Sequence, residues 1–125
     1  MTDPELHPDA RELIRQSLES IDHVEILLSL RASGQWTTVD ELAARHHLGA
    51  RVVADCLRDL EAARLVEGNG SAWRLAALPA ERRAALEHLA LAYDERPLLL
   101  VRALRGRPSS VLHSFADSFR LRRKD

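Results

Sequence analysis

The 125-residue chain is poor in aromatic side chains, cysteine and long apolar runs. Each of these shortages excludes some classes of protein. Aromatic residues make up 4% of it, whereas leucine and alanine are abundant, which favours helices over a large sheet. Its one cysteine cannot form an internal disulfide, so we expect a reducing compartment, the cytoplasm. By length it is a single domain, residues 1–125, with enough chain to bury a hydrophobic core.

Signals for membranes, secretion and catalysis are missing as well. No apolar run approaches the roughly 20 residues that a membrane span needs, and the segment MTDPELHPDARE lacks the basic-then-apolar order of a signal peptide. There is no glycine-rich phosphate loop, nucleophile elbow or His-Glu-x-x-His motif. We therefore expect no membrane contact, no cofactor and no enzymatic activity.

Residues 37–78 carry the clearest pattern of local structure. Thr38 and Glu41 have the spacing of a capping box, in which each side chain accepts from a free backbone N–H at a helix start. We expect this helix to end over residues 46–49, with Gly49 adopting the positive φ that glycine tolerates.

A second amphipathic helix is predicted to begin near Ala50 and to run to about Arg64. Its apolar residues fall at i, i+3, i+4 and i+7 and form one buried stripe: Val53, Cys56, Leu57 and Leu60. Residues 65–66, the turn 68–70 and residues 72–75 then predict a β-hairpin.

A helix, a short turn, a second helix and a two-stranded wing, in this order, resemble the winged helix-turn-helix superfamily. The apolar spacing is similar to that of the MarR-like and ArsR-like bacterial regulators: Leu42, Ala43, Leu48, Val53, Leu57, Leu60, Leu65 and Val66. The resemblance covers residues 21–78 and implies a mainly α fold with a small β-wing. It implies a DNA-binding transcriptional regulator, with a winged-helix adaptor for protein–protein interaction as the alternative.

Helical patterns flank this core at residues 1–20 and 79–125. The sequence leaves open whether Ser20 or Asp22 caps a separate helix or one long helix runs through them. Pro97 lacks an N–H and crowds the preceding turn, so it predicts a kink or a restart. After Pro108 a last helix is expected, followed by a basic cluster at residues 120–124.

Flanking helices usually form the dimer in the MarR-like group, so the resemblance implies a homodimer here. A two-fold pair places two reading helices one DNA turn apart, roughly 34 Å. The residues predicted to form the dimer contact are apolar and near the C-terminus: Leu98, Leu99, Val101, Leu104, Phe115 and Phe119. The alternative is that the leucine run simply covers the winged core.

Double-stranded DNA is the predicted partner, and the start and outer face of the second helix are the predicted contact. Guanidinium groups there suit guanine edges or phosphates, and the wing and the first helix's N-terminus suit phosphates. The candidate DNA-binding residues are Thr38, Ala50, Arg51, Ala54, Asp55, Arg58 and Arg74.

The charge distribution argues against a strong DNA binder. Residues 50–64 hold three acids and three arginines, and the wing tip at residues 68–71 is uncharged. Residues 1–67 carry a net charge of −6 and residues 96–125 a net charge of +6. Phosphate contacts supply most of the affinity for DNA, so this chain would depend on dimerisation, on Arg74 or on the basic cluster. The acidic part would suit a basic protein partner.

A metal centre is not predicted. His46 and His47 are adjacent and point about 100° apart on a helix, and the other histidines are scattered without an i, i+4 pair. Cys56 has no ligand-type neighbour in sequence, whereas thiolate and imidazole sites need close clusters. We expect Cys56 to be a small buried hydrophobe.

Overall fold

Six helices and three short strands follow one another along residues 6–106, the part of the chain that the computed structural model describes. They are α1 (Pro8–Ser17), α2 (Ile21–Ser33), β1 (Thr37–Thr38), α3 (Val39–His46), α4 (Ala50–Ala62), β2 (Val66–Gly68), β3 (Ala72–Leu75), α5 (Ala80–Glu95) and α6 (Pro97–Arg105). The mainly helical fold with a small β-wing is confirmed. The predicted last helix, with Phe115 and Phe119, and the basic cluster lie outside the described residues.

Local sequence signals set the helix boundaries. Ser20 is extended and its hydroxyl accepts from the His23 N–H, so α2 is a separate helix. Gly34 ends α2 in the left-handed conformation, with φ +63°. Pro97 restarts the chain as the first residue of α6, which resolves the choice between a kink and a restart.

The three strands form an antiparallel sheet in the order β1-β3-β2. Thr37 pairs with Trp73, and Val66 pairs with Leu75. The Asn69 side chain accepts from the Ala72 N–H at 2.9 Å and closes the hairpin turn. The wing predicted for residues 65–75 is therefore present, with β1 as a third strand.

The core joins the winged module to the flanking helices. α2 packs against α3, α4 and β3, while α1 packs against α5 and α6. Tyr93 of α5 donates to the Glu25 carboxylate of α2 at 2.6 Å, and this bond raises the pKa of Tyr93 to about 12. Arg31 and Glu87 add a two-pronged ion pair between the same helices.

Among the described residues, no helix is long and apolar enough to cross a membrane.

The turn between α3 and α4 differs from the prediction. His47, not Gly49, adopts the left-handed conformation, with φ +55°, and Leu48 N donates to the Ala43 carbonyl. Gly49 is extended at φ −68° and precedes α4 as its N-cap. The reversal comes earlier because Leu48 must return to the core, against which it packs.

Two substitutions at this turn distinguish the left-handed residue of the structure, His47, from the one predicted from the sequence, Gly49. His47→Gly should stabilise the fold by about 0.5–1 kcal/mol, because relief of about 1–2 kcal/mol of left-handed strain exceeds the added chain entropy. Gly49→Ala should change the free energy of unfolding by less than about 0.5 kcal/mol, because the poorer N-cap preference of alanine offsets the entropy that it removes from the unfolded chain. Urea unfolding measures both. A loss above about 1 kcal/mol in Gly49→Ala would restore the original assignment.

Candidate nucleic-acid interface

The short turn at residues 47–49 places α4 directly after α3, as in a helix-turn-helix unit. The predicted stripe of α4 is buried: Val53, Cys56, Leu57 and Leu60 are at most 4% exposed. Because a helix repeats every 3.6 residues, burial of this stripe directs the opposite side of α4 outward.

Arg51, Asp55 and Arg58 form the outer face of α4, at i, i+4 and i+7, and all three are exposed. Ala50 is exposed at the helix start, whereas Ala54 is half-buried at the edge. Arg58 and Asp55 approach to 3.9 Å, with the Arg58 side chain 77% exposed. An exposed pair at this distance contributes little, so it does not hold Arg58 away from a ligand.

Thr38 lies at the N-terminus of α3 with its hydroxyl already engaged. The hydroxyl accepts from Glu41 N at 3.1 Å, and the Glu41 carboxylate accepts from Thr38 N at 3.2 Å, which confirms the capping box. Asp40 and Glu41 add negative charge to the first turn. The capping box therefore competes with a phosphate for this helix start.

Arg74 extends from β3 and contacts two neighbours, Glu67 of β2 and Trp36, which directly precedes β1. Its Nε donates to Glu67 Oε1, and its guanidinium lies 4.4 Å from the centre of the Trp36 ring. Contact with a phosphate requires Arg74 to leave Glu67 or to share its remaining N–H groups.

The acids of α4 are not equivalent. Asp59 turns toward α2, where its Oδ2 lies 2.9 Å from His23 Nε2. His23 is only 7% exposed, and its Nδ1 lies 2.6 Å from the Ser20 hydroxyl. Asp55 alone lies between the two arginines of the outer face, so fewer carboxylates lie beside these arginines than the count for the whole helix indicates.

Val52 is 42% exposed in the first turns of α4 and was not among the residues predicted to contact DNA. An exposed β-branched side chain beside Arg51 suits contact with a thymine methyl group. The sequence did indicate that Val52 is exposed, because Val52 lies outside the i, i+3, i+4, i+7 stripe of apolar residues. That stripe contains the buried residues of α4.

The predicted dimerisation residues occupy different environments. Leu98 is 72% exposed, Leu99 and Val101 are half-buried, and Leu104 is 9% exposed and packs into the chain's own core. Leu91 of α5 adds a further exposed side chain, at 53%. Apolar side chains on α5 and on α6 therefore remain uncovered by the described residues.

His7 and His23 each contact a side chain that is distant in sequence. His7 and His88 stack with ring centres 3.5 Å apart, and His23 approaches Asp59. Both pairs join residues of different parts of the chain, so no local spacing could have revealed them.

No protein-family model matches the chain, and no curated protein matches it. A mutant of S. aureus MepR, solved bound to an oligodeoxyribonucleotide, is 18% identical and covers 92% of this chain and 83% of its own, with a TM-score of 0.51. A MepR mutant from a multidrug-resistant S. aureus clinical isolate is 16% identical and covers 94% and 88%, with a TM-score of 0.49. At such identity the first likeness shows the fold alone, and it confirms the winged-helix fold predicted from residues 21–78.

Cys56 should be almost inert toward thiol reagents. Burial, followed by the nearby charges of Asp22, Asp59, Asp55 and Glu19, raises the pKa of its thiol from 9.0 to about 11. The neutral thiol is thus favoured in the folded chain, and this stabilisation is lost as the pH rises from 9.0 toward 11.

At pH 8 a disulfide reagent should therefore react at least about a hundredfold more slowly with the folded protein than with the urea-unfolded chain, since thiolate is the reacting form. As the chain has one cysteine, the absorbance change reports Cys56 alone. Folded and unfolded rates within tenfold of each other would contradict the buried, protonated thiol.

Proposed function

We propose that the chain is a transcriptional regulator of the bacterial winged-helix type that binds double-stranded DNA as a homodimer in the cytoplasm. The observation that carries the proposal is the outer face of α4, exposed on the second helix of a helix-turn-helix unit. The fold likeness to MepR bound to an oligodeoxyribonucleotide supports it.

In this proposal α4 enters the major groove with its outer face toward the bases. Arg51 and Arg58 contact guanine edges or phosphates, while Val52 packs against a thymine methyl group. Arg74 exchanges Glu67 for a backbone phosphate as the wing meets the duplex. Asp55 accepts from a cytosine amino group or pairs with Arg58.

A protein-interaction adaptor is the second candidate, favoured by charge. α4 carries three acids and two arginines, and the described structure pairs Arg74 with Glu67. Such a surface suits a basic protein partner as well as it suits DNA. The two candidates differ in their response to salt and to loss of the α4 arginines.

Binding to a random-sequence duplex across a salt series tests the DNA proposal. We expect micromolar affinity at low salt that falls steeply as salt rises, because bound phosphates release counterions. If these residues contact bases, Arg51→Ala and Arg58→Ala should each weaken binding by about 1–3 kcal/mol on a duplex that holds the target sequence, and much less on the random-sequence duplex. For a phosphate contact, each should lower the salt slope by about 2 in a dimer.

Arg15→Ala is the matched control, because it removes the same charge from α1, which packs against α5 and α6. Its affinity and salt slope should equal those of the unaltered protein. No detectable binding at low salt would favour the adaptor. Equal losses in all three variants would mean that net charge, rather than the outer face of α4, governs binding.

The exposed leucines of α5 and α6 support the homodimer. Leu91 and Leu98 are more than half exposed, and a second copy would remove this apolar area from water at about 25 cal/mol per Å². A two-fold dimer buries the same patch on both subunits. Because the patch belongs to α5 and α6, dimerisation and DNA binding by the outer face of α4 use different residues.

Sedimentation at micromolar concentration tests the dimer, which we expect for the unaltered chain. Leu98→Glu should shift the protein toward monomer, because it places a charge where the apolar contact forms. Val52→Glu is the matched control: it alters an exposed apolar residue on α4 and should leave the sedimentation unchanged. A monomer in the unaltered chain, or equal shifts in both variants, would contradict this contact.

A further inference from the structure

Two groups of imidazole and carboxylate side chains in residues 6–106 have ligand atoms within 4.8 Å of one another. One is His7, Asp9 and His88, and the other is Glu19, His23 and Asp59. They differ in geometry, and only the second suits a metal ion.

The first group cannot converge on an ion as it stands. The rings of His7 and His88 are stacked, with centres 3.5 Å apart and planes 7° apart. An imidazole binds a metal through a lone pair in its ring plane, and lone pairs in two parallel planes do not meet at one point. His7 Nδ1 also accepts from Asp9 N and caps α1.

The second group already holds two ligand atoms at nearly the spacing of a shared ion. His23 Nε2 and Asp59 Oδ2 are 2.9 Å apart. Two ligands on one tetrahedral ion, with bonds of about 2.1 Å, lie about 3.4 Å apart. Asp59 is half exposed, so a small rotation of its side chain opens this distance.

Ser20 orients the imidazole in the way that metal-binding histidines are usually oriented. Its hydroxyl lies 2.6 Å from His23 Nδ1 and accepts from His23 N. The hydroxyl oxygen can also accept from Nδ1–H, which leaves the Nε2 lone pair for a cation.

Negative charge concentrates at this point between α2 and α4. Glu19, Asp22, Asp55 and Asp59 all act on the Cys56 thiol and raise its pKa. A divalent cation would offset the mutual repulsion of these carboxylates.

We propose that Glu19, His23 and Asp59 bind a first-row divalent cation such as Zn²⁺, which joins the start of α2 to α4. One imidazole and two carboxylates suit such an ion, and water completes its coordination. This part of the inference rests on the proposed function: when α4 binds DNA, the ion would offset negative charge on α4 and so raise the affinity for DNA.

Titration of the tag-free, metal-free protein with Zn²⁺ by calorimetry, and with Co²⁺ by visible absorption, tests the site. We expect one ion per chain. Asp59→Asn and Glu19→Gln alter exposed side chains, so the fold should persist while affinity falls at least tenfold. His88→Gln removes an imidazole from the stacked pair and should bind as the unaltered chain does.

Absence of micromolar binding, or equal losses in His88→Gln and Asp59→Asn, would overturn the site. The effect of zinc on the affinity for DNA is measured separately. Zinc should raise the DNA affinity of the unaltered chain but not of Asp59→Asn. Zinc binding without this increase would overturn the coupling alone, whereas zinc binding by a chain that never binds DNA would overturn the proposed function and leave the site standing.

Discussion

Burial of one face of α4 is the constraint on which the rest of the structure depends. Val53, Leu57 and Leu60 are fully buried, and each such side chain contributes about 1.5–3 kcal/mol when removed from water. The packing of α4 against α2 holds the helix in one rotational setting. The outer face, with Arg51 and Arg58, is exposed as a direct consequence of the helical repeat.

Side-chain contacts then decide which charges on the winged module remain available. Arg74 is paired with Glu67, and Asp59 is turned toward His23. The arginines of the α4 outer face consequently matter more to a nucleic acid than their number indicates. In the proposed function, a weakly charged interface of this kind would make the second copy of the dimer more important, because two modest contacts on one duplex act together.

The winged module and its flanking helices share one core. Tyr93 and Glu25, together with Arg31 and Glu87, connect α5 to α2 across the boundary predicted near residue 79. A change at the flank can therefore reach α4 through α2, which contacts both. This gives a physical route by which the proposed dimer contact or the proposed ion would affect the candidate nucleic-acid interface.

Elements whose causes lie within a few residues could be predicted from the sequence. The capping box of Thr38, the buried stripe of α4 with its outer face, the hairpin and the break at Pro97 all depend on near neighbours. The left-handed residue at His47 could not, because it is set by the need of the next side chain to reach the core. Nor could the approach of His23 to Asp59, 36 residues away. Such outcomes depend on how one helix packs against another, and no spacing along a single helix contains that information.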